Sequence, residues 1–198
     1  MYHRFFKRVL DMALSLGAIL LLLPLLILLS LLILVTDPGP VLFTQRRVGK
    51  DKRLFTILKF RTMKTSTPDL PTHLLKDPER YITPVGSFLR RTSLDELPQL
   101  FNILVGQMSI VGPRPALWSQ DDLIALRDQN GANDLRPGLT GLAQINGRDE
   151  LPLEKKAFLD GEYASRLKAG KGFSTDAKCF FATFRKVLFA EGIKEGAP

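Results

Sequence analysis

Between Met12 and Val35 the chain contains 24 consecutive residues without a charge, most of them leucine or isoleucine. As a helix they would extend about 36 Å at roughly 1.5 Å per residue, and the hydrocarbon core of a bilayer is about 30 Å thick. The run is longer than the apolar part of a cleaved signal peptide, and no small-residue cleavage site follows it before Asp37. The sequence therefore predicts a membrane-embedded helical segment that is retained.

Two features of this run argue against a simple crossing of the bilayer. Pro24 stands near its midpoint, and a proline there removes a backbone donor and bends or breaks a helix. Both flanks are basic, and positive charge prefers the cytoplasmic side of a membrane, so both ends of the run are expected on that side. We therefore expect a re-entrant hairpin bent at Pro24, with Ser15 or Ser30 bonding the freed backbone groups; an ordinary kinked transmembrane helix is the alternative. The flanking cations are Arg4, Lys7 and Arg8 before the run and Arg46, Arg47, Lys50, Lys52 and Arg53 after it.

The composition of the 198-residue chain limits its chemistry. A formal net charge of +8 and a pI of about 9.8 favour an anionic partner, which could be nucleic acid, a phosphorylated substrate or an acidic membrane face. The single cysteine, Cys179, excludes an intramolecular disulfide and is typical of core packing. Two histidines are too few for a histidine-rich zinc site and disfavour a Ser-His-Asp triad. Acid–base chemistry therefore falls mainly to carboxylates.

After the break at Pro38–Pro40, two segments have the alternation of β-strands. Val41–Gln45 and Arg53–Met63 flank a turn, which predicts a β-hairpin. In the second segment Lys59 and Arg61 share one face, where two cations could hold an anion or simply be solvated.

Helix is expected to dominate the rest of the chain. The segment Asp176–Phe189 is amphipathic and could lie on an anionic membrane or dock on the core. The predicted fold class is mostly α with a small β-hairpin or sheet (α+β). Residues 1–36 are expected to form a re-entrant helix–break–helix, and residues 37–198 a cytosolic domain with amphipathic interfacial helices.

The adjacent acidic residues Asp95 and Glu96 have two interpretations. Ser93 followed three residues later by Glu96 has the pattern of a capping box, and acidic residues suit the first turn of a helix. Pro98 weakens this structural interpretation, because it forfeits a hydrogen bond close to the proposed cap. The buried stripe of that helix would be Leu97, Leu100, Phe101 and Leu104.

The chemical interpretation depends on nearby cations. In the segment VGPRP, Pro115 pushes Arg114 toward an extended backbone, so a stiff loop presents a guanidinium that suits bidentate phosphate contact. Two carboxylates beside such a pocket suit phosphoryl transfer, with one holding Mg²⁺ and the other attacking phosphorus. Further candidates for the pocket are Lys59, Arg61, Arg90, Arg91 and Arg148.

Five blocks follow one another along nearly the whole chain: FKRVLD, an apolar segment with a central proline, FTQRRVGKDKRLFTILKFRTM, SLDELPQLFNILVGQMSIVGPRP and RPGLTGLAQINGR. With these blocks in this order the chain resembles the bacterial sugar transferase family, specifically the small monotopic phosphoglycosyl transferases. The resemblance implies transfer of a sugar phosphate from a nucleotide diphosphosugar to polyprenyl phosphate. It also implies the re-entrant helix, although Leu23 stands before Pro24, where the family usually has a hydroxyl or small residue.

The resemblance implies roles for individual residues. Asp95 resembles the nucleophile that attacks the sugar-bearing phosphate, and Glu96 resembles its metal-binding partner, so that Glu96 and Asp95 together would hold Mg²⁺. The other matching positions, apart from Tyr163, are expected to bind substrate. Lys59, Arg90 and Arg114 match basic residues around the phosphates, Asn146 and Arg148 lie in a block that resembles the donor-binding loop, and Asp160 with Tyr163 matches a D-x-x-Y element.

The expected enzyme is a glycosyl-1-phosphate transferase of the bacterial inner (cytoplasmic) membrane, with residues 37–198 as a catalytic domain on the cytosolic face. Its expected partners are a UDP-sugar donor, undecaprenyl phosphate as acceptor and membrane lipid. It would release UMP through a covalent aspartyl-phosphosugar, at the first membrane step of glycoconjugate assembly. A non-catalytic, membrane-bound phosphate-binding or scaffold protein is the alternative. Nucleic acid is not an expected partner, because no recognition motif or stacking platform is present.

Overall fold

A computed structural model describes residues 2–68, 77–147 and 150–188. Within those ranges helices outnumber strands and the strands form two small sheets, which confirms the predicted α+β class. Short 3₁₀ turns connect several of the elements. In chain order the helices and strands are α1 (Lys7–Thr36), β1 (Leu42–Val48), β2 (Leu54–Phe60), α2 (Pro84–Arg91), α3 (Gln99–Leu104), β3 (Ser109–Val111), α4 (Asp121–Asp128), β4 (Gly138–Thr140), α5 (Leu142–Ile145), α6 (Leu153–Lys168) and α7 (Gly172–Leu188).

The apolar run forms α1, which packs along its whole length against the rest of the protein. Its buried positions recur at intervals of three, four or seven residues, so one face is covered while the opposite face is exposed. In the described part of the chain α1 is the one helix long and apolar enough to cross a membrane, which is consistent with a membrane protein. The buried positions are Asp11, Ser15, Ile19, Leu26, Leu29 and Ile33.

Pro24 lies inside α1, and the structure has one helix where the sequence predicts helix–break–helix. A proline forfeits one intrahelical bond, but the bonds of the adjacent turns can continue the helix across it. The Ser15 hydroxyl donates to the Met12 carbonyl (3.1 Å) and the Ser30 hydroxyl donates to the Leu26 carbonyl (2.7 Å). The serines therefore bond carbonyls other than the one that Pro24 leaves free. That α1 is re-entrant concerns its path through lipid and stays a prediction.

The predicted β-hairpin is present as β1 and β2. The strands are antiparallel, with Leu42 opposite Phe60 and Val48 opposite Leu54. Alternation along β2 places Lys59 on the same face as Phe55 and Ile57, which is the face buried against α1 and α3. The hairpin therefore directs the Lys59 side chain inward, toward the turn that precedes α3.

A second, parallel pair is formed by β3 and β4. The Gly112 amide donates to the Thr140 carbonyl (2.8 Å), and the Gly138 amide donates to the Pro113 carbonyl (2.8 Å). A Cβ atom at Gly138 would lie 2.1 Å from the Gly112 nitrogen, so this close approach of two backbones requires glycine. This strand pair holds the loop that contains Arg114 against the segment that leads into α5.

The last helix, α7, docks on the core through one face and exposes phenylalanines on another. Cys179 is fully buried, and Asp176 accepts hydrogen bonds from the hydroxyls of Tyr2 and Tyr163 (both 2.7 Å) and from Lys7 Nζ (2.8 Å). Docking on the core is therefore confirmed for this helix, while its contact with an anionic membrane stays a prediction. The exposed phenylalanines are Phe173, Phe180, Phe181 and Phe184.

Candidate active site

Asp95 and Glu96 lie on a 3₁₀ turn, Leu94–Glu96, that precedes α3. Helix α3 begins only at Gln99, with Pro98 at its N-cap position. Ser93 adopts a left-handed backbone (φ 55°), and its hydroxyl is buried without a hydrogen-bond partner among the described residues. The predicted capping box is therefore wrong, and the Glu96 carboxylate has partners elsewhere.

Glu96 is the centre of a cluster of charges. Its Oε1 atom accepts from Lys59 Nζ at 2.9 Å and from Arg114 Nη2 at 3.3 Å. The glutamate is buried, with 7% of its surface exposed, so both cations offset the unfavourable desolvation of its charge. The contacts join β2, the turn before α3 and the loop after β3.

Asp95 lies beside this cluster in a different environment. Its Oδ2 atom is 4.0 Å from Lys59 Nζ, and 13% of its side chain is exposed. Burial raises the pKa of the Asp95 carboxyl above its usual value. The positive charge of Lys59 lowers this pKa, the negative charge of Glu96 raises it, and the charges of Arg90 and Arg114 lower it. The site thus contains one carboxylate, Glu96, that is hydrogen-bonded to two cations, and a second, Asp95, whose pKa is lowered by the charges of three.

Proline and threonine residues position the cations around the acidic pair. Arg114 lies between Pro113 and Pro115 on the loop that the β3–β4 pair fixes. Arg90 lies in the last turn of α2, and its Nε atom donates to Thr62 Oγ1 at 2.9 Å. Lys59 and Arg114 contact Glu96 directly, and the charge of Arg90 acts on the Asp95 carboxyl, so cations from three elements influence the acidic pair.

Another candidate cation, Arg61, has a partner outside this cluster. Arg61 is buried and pairs with Asp37 at the end of α1, through the Asp37 carbonyl and through its Oδ2 atom at 3.3 Å from Arg61 Nη1. The expectation that Arg61 binds an anion with Lys59 is therefore wrong, because the chain turns after β2 and directs Arg61 to a structural partner. Arg91 is exposed.

The acidic pair fits a magnesium ion shared with a phosphate ligand. Mg²⁺ in proteins usually takes one or two carboxylates together with substrate phosphates and water, and Asp95 and Glu96 supply two carboxylates. Among the described residues, no group of three or more His, Cys, Asp or Glu side chains could hold a metal ion. These residues therefore do not form an all-protein site of the kind that holds structural zinc.

A cavity of about 230 Å³ adjoins the cluster, and Arg114 belongs to both. Asp160 lines the cavity and is buried; its Oδ2 atom accepts from Arg127 Nε (2.9 Å) and Arg127 Nη2 (2.6 Å). Burial raises the pKa of the Asp160 carboxyl, and Arg127 opposes this. Two further lining residues, Arg47 and Gln144, were not predicted as site residues.

Three predicted positions remain: Asn146, Tyr163 and Arg148. Asn146 is exposed, and its amide donates to the Leu142 carbonyl at 2.7 Å. Tyr163 is buried, and its hydroxyl donates to the Val111 carbonyl at 3.1 Å as well as bonding Asp176, so its contacts are structural. Arg148 lies outside the described residues.

Arg47 and Gln144 do not stand out in the sequence as site residues. Arg47 belongs to the basic flank of the membrane segment, although alternation along β1 puts it on the other strand face from the exposed Arg46. Gln144 stands in the RPGLTGLAQINGR block, but a glutamine in a short segment carries no local sign of burial.

Comparison with known proteins gives a consistent result. The family model for bacterial sugar transferases matches residues 2–190. The chain is 43% identical to the uncharacterized sugar transferase EpsL of Bacillus subtilis (strain 168), covering 79% of this chain and 74% of that protein. It is 40% identical to the exopolysaccharide production protein PSS of Rhizobium leguminosarum bv. phaseoli, covering 89% of this chain and 92% of that protein.

A longer relative shares only part of its length with the chain. The UDP-glucose:undecaprenyl-phosphate glucose-1-phosphate transferase of Escherichia coli (strain K12) is 40% identical over 81% of this chain. The chain spans 36% of that enzyme's length.

Proposed function

Because the chain belongs to the bacterial sugar transferase family, we propose that it transfers a sugar 1-phosphate from a UDP-sugar to undecaprenyl phosphate. The products are undecaprenyl diphosphosugar and UMP. The observation that carries the proposal is the convergence of Lys59, Arg90 and Arg114 on Asp95 and Glu96, since phosphoryl transfer needs a nucleophile among cations. Relatives named as undecaprenyl-phosphate sugar phosphotransferases support the same activity.

In the first step an Asp95 carboxylate oxygen attacks the phosphorus that carries the sugar. A new bond forms between that oxygen and phosphorus, and the bond from phosphorus to the bridging oxygen of the diphosphate breaks. UMP leaves with the electron pair of the broken bond, and the enzyme carries an aspartyl-phosphosugar.

In the second step an oxygen of undecaprenyl phosphate attacks the same phosphorus. The bond from phosphorus to Asp95 breaks, the carboxylate is regenerated, and the diphosphosugar lipid leaves. No proton is gained or lost over the two steps, so the site needs no histidine, and neither His3 nor His73 is assigned a role.

The cations make this attack possible. A carboxylate is a weak nucleophile and is repelled by an anionic diphosphate, so positive charge must offset that repulsion. We assign the phosphate oxygens to Arg90 and Arg114, while Lys59 lies near both carboxylates. Glu96, held by Lys59 and Arg114, fixes the relative positions of these two cations.

Mg²⁺ would be held by Glu96 and Asp95 and, when bound, would neutralise part of the diphosphate charge. Lys59 and Arg114 already pair with Glu96, so part of their positive charge is offset and a metal ion would add charge for the diphosphate. The requirement for Mg²⁺ is part of the proposal.

The membrane arrangement belongs to the same proposal. Undecaprenyl phosphate keeps its tail in lipid and its phosphate at the interface, so the site must lie at that level. We place α1 in one leaflet as a re-entrant, monotopic element with the remaining domain on the cytosolic face. The basic residues on both sides of the apolar run support this orientation.

A trapping experiment tests the proposed nucleophile. The full chain in detergent is incubated with a UDP-sugar labelled in the sugar-bearing phosphate, without acceptor, and the acid-quenched peptide is analysed by mass spectrometry. We expect one UMP per active chain and the label on Asp95. Asp95→Asn should abolish both signals, while Asp51→Asn, at an exposed turn position, should retain them.

Retained turnover in Asp95→Asn would overturn the nucleophile assignment. Nucleotide binding without any transfer, in the presence of both substrates and Mg²⁺, would favour the scaffold alternative instead.

A further inference from the structure

Gln144 is buried in the cavity wall with its polar atoms unpaired. It has 8% of its surface exposed and lines the cavity of about 230 Å³. In the described part of the chain, neither its Nε2 nor its Oε1 atom has a hydrogen-bond partner. An unpaired amide inside a protein is unfavourable and uncommon, so the residue is better explained by a ligand than by folding.

Arg47 repeats this pattern in the same cavity. Its Nη1 atom donates to the Pro115 carbonyl (3.1 Å) and its Nη2 atom donates to Gln45 Oε1 (2.7 Å). Its Nε atom is buried and has no partner among the described residues. Burial lowers the pKa of Arg47 to about 10, and the charge of Arg114 adds to this effect.

The cavity is coupled to the proposed site of phosphoryl transfer. Arg114 lines it and also donates to Glu96. Gln144 belongs to α5, which follows β4 directly, and β4 is hydrogen-bonded to the backbone that leads to Arg114. A ligand with its diphosphate at Arg114 can therefore extend into the cavity. The volume is below the roughly 300–1,000 Å³ of a site for a whole ligand, so the cavity fits one portion of the donor.

We propose that this cavity is the nucleoside subsite and that the Gln144 amide pairs with the edge of a pyrimidine base. The inference rests on the proposed function, which supplies a UDP-sugar as donor. A side-chain amide presents an acceptor and a donor side by side, and uracil presents its N3–H next to a carbonyl. The Arg47 Nε–H would donate to the second carbonyl of the ring.

The acetamido group of an amino sugar is a poorer match for Gln144. In a trans amide the N–H and the carbonyl point in opposite directions, so one planar side chain cannot engage both. The hydroxyls of a sugar would satisfy either amide atom, but they would not require the two together. The two unpaired atoms of the Gln144 amide, taken together, therefore point to the base.

Binding measurements with fragments of the donor test this assignment. The full chain in detergent is titrated calorimetrically with UMP and with ribose 5-phosphate, as wild type and as Gln144→Leu. We expect the variant to bind UMP about 10- to 100-fold more weakly, the range for losing one bidentate base contact, and to bind ribose 5-phosphate unchanged. Its unfolding temperature without ligand should not fall, because an apolar side chain replaces an unpaired amide.

Gln129→Leu is the matched control, since Gln129 is exposed and does not line the cavity. Unchanged UMP affinity in Gln144→Leu, or no UMP binding by the wild type, would overturn the assignment. So would equal losses for UMP and ribose 5-phosphate, or a loss confined to the intact UDP-sugar. If UMP binding depends on Gln144 but no sugar phosphate is ever transferred, the subsite stands and the proposed function fails.

Discussion

At the scale of single residues, the neighbours Asp95 and Glu96 illustrate how similar carboxylates acquire different properties. Glu96 accepts hydrogen bonds from Lys59 and Arg114, so its side chain is fixed. The nearest of these cations to Asp95 is Lys59, at 4.0 Å, which leaves the Asp95 oxygen available for attack. This asymmetry matches the proposed division between a nucleophile and a positioning and metal-binding partner.

The raised pKa of Asp95 predicts an acid limb in the pH–rate profile of adduct formation. The attacking form is the carboxylate, so the rate should fall as the pH falls through the pKa of Asp95 in the folded protein, which lies above the model-peptide value of 3.8. Lys59 opposes the rise in this pKa more than any other charge, so Lys59→Met should move the limb to higher pH. Single-turnover rates with labelled donor measure this shift.

The exposed Lys52 supplies the comparison for that profile. Lys52→Met should leave the limb in place, because this side chain pairs with the exposed Asp128 instead. A limb that stays in place or moves to lower pH in Lys59→Met would contradict the electrostatic account of Asp95.

The neighbouring cation Arg61 should affect stability. Arg61→Met removes the cation paired with Asp37 and leaves that carboxylate, among the described residues, only its hydrogen bonds from Thr65, so we expect the free energy of unfolding to fall by about 1–3 kcal/mol. Urea unfolding in detergent measures the change, with Arg53→Met as an exposed control. A variant that keeps wild-type stability but loses affinity for the donor would instead return Arg61 to the anion-binding residues.

At the scale of elements, the sequence predicts what depends on local pattern and misses what depends on distant partners. The hairpin of β1 and β2 follows from alternation and a turn, both readable within 20 residues of chain. The capping box fails because the actual partners of Glu96, Lys59 and Arg114, lie 37 and 18 residues away. Strands β3 and β4 have only three residues each, too few to show a periodic pattern.

In the candidate site as well, some residues could be predicted from the sequence and others could not. Asp95, Glu96, Lys59, Arg90 and Arg114 were predicted through blocks that resemble a family, and the structure brings them together. The unpaired amide of one glutamine in the cavity wall could not be predicted, because its meaning depends on the absence of nearby partners in three dimensions.

Pro24 gives a prediction about the path of α1. Pro24→Ala restores a backbone donor inside the helix, so we expect it to favour a full crossing of the bilayer, with the N-terminus on the far side. A cysteine introduced by Phe5→Cys, in a chain carrying Cys179→Ala, reports the side through a membrane-impermeant maleimide. With Pro24 present, labelling should come from the same side as for Lys52→Cys on the hairpin.

Labelling of the two positions from opposite sides with Pro24 present would show an ordinary transmembrane helix. Identical labelling with and without Pro24 would show that the proline does not determine the path.

At the scale of the whole molecule, α1 and α7 together present an apolar surface. Phe173, Phe180 and Phe181 of α7 line a cavity of about 180 Å³ with Leu10 and Leu14 of α1. All five side chains are at least 40% exposed, which is unfavourable in water and favourable in lipid. We interpret this surface as a second place of contact with the bilayer, beside the apolar run itself.

Fluorescence quenching by brominated lipids tests that contact. In a chain carrying Trp118→Phe, a tryptophan placed by Phe184→Trp should be strongly quenched, because Phe184 is 60% exposed on the aromatic side of α7. Lys178→Trp should be quenched less, since position 178 is offset from 184 by about 120° around the helix. Equal and weak quenching at both positions would place α7 in water.

The buried face of α1 determines whether the rest of the chain can fold without this helix. Ile19 belongs to one core cluster with Ile103, and Leu29 belongs to another with Phe60. Removing the first 36 residues would expose apolar residues of both clusters to water, so the remainder should aggregate rather than remain a soluble enzyme. If α1 is embedded in lipid as we propose, the domain should reach its folded state only together with that insertion.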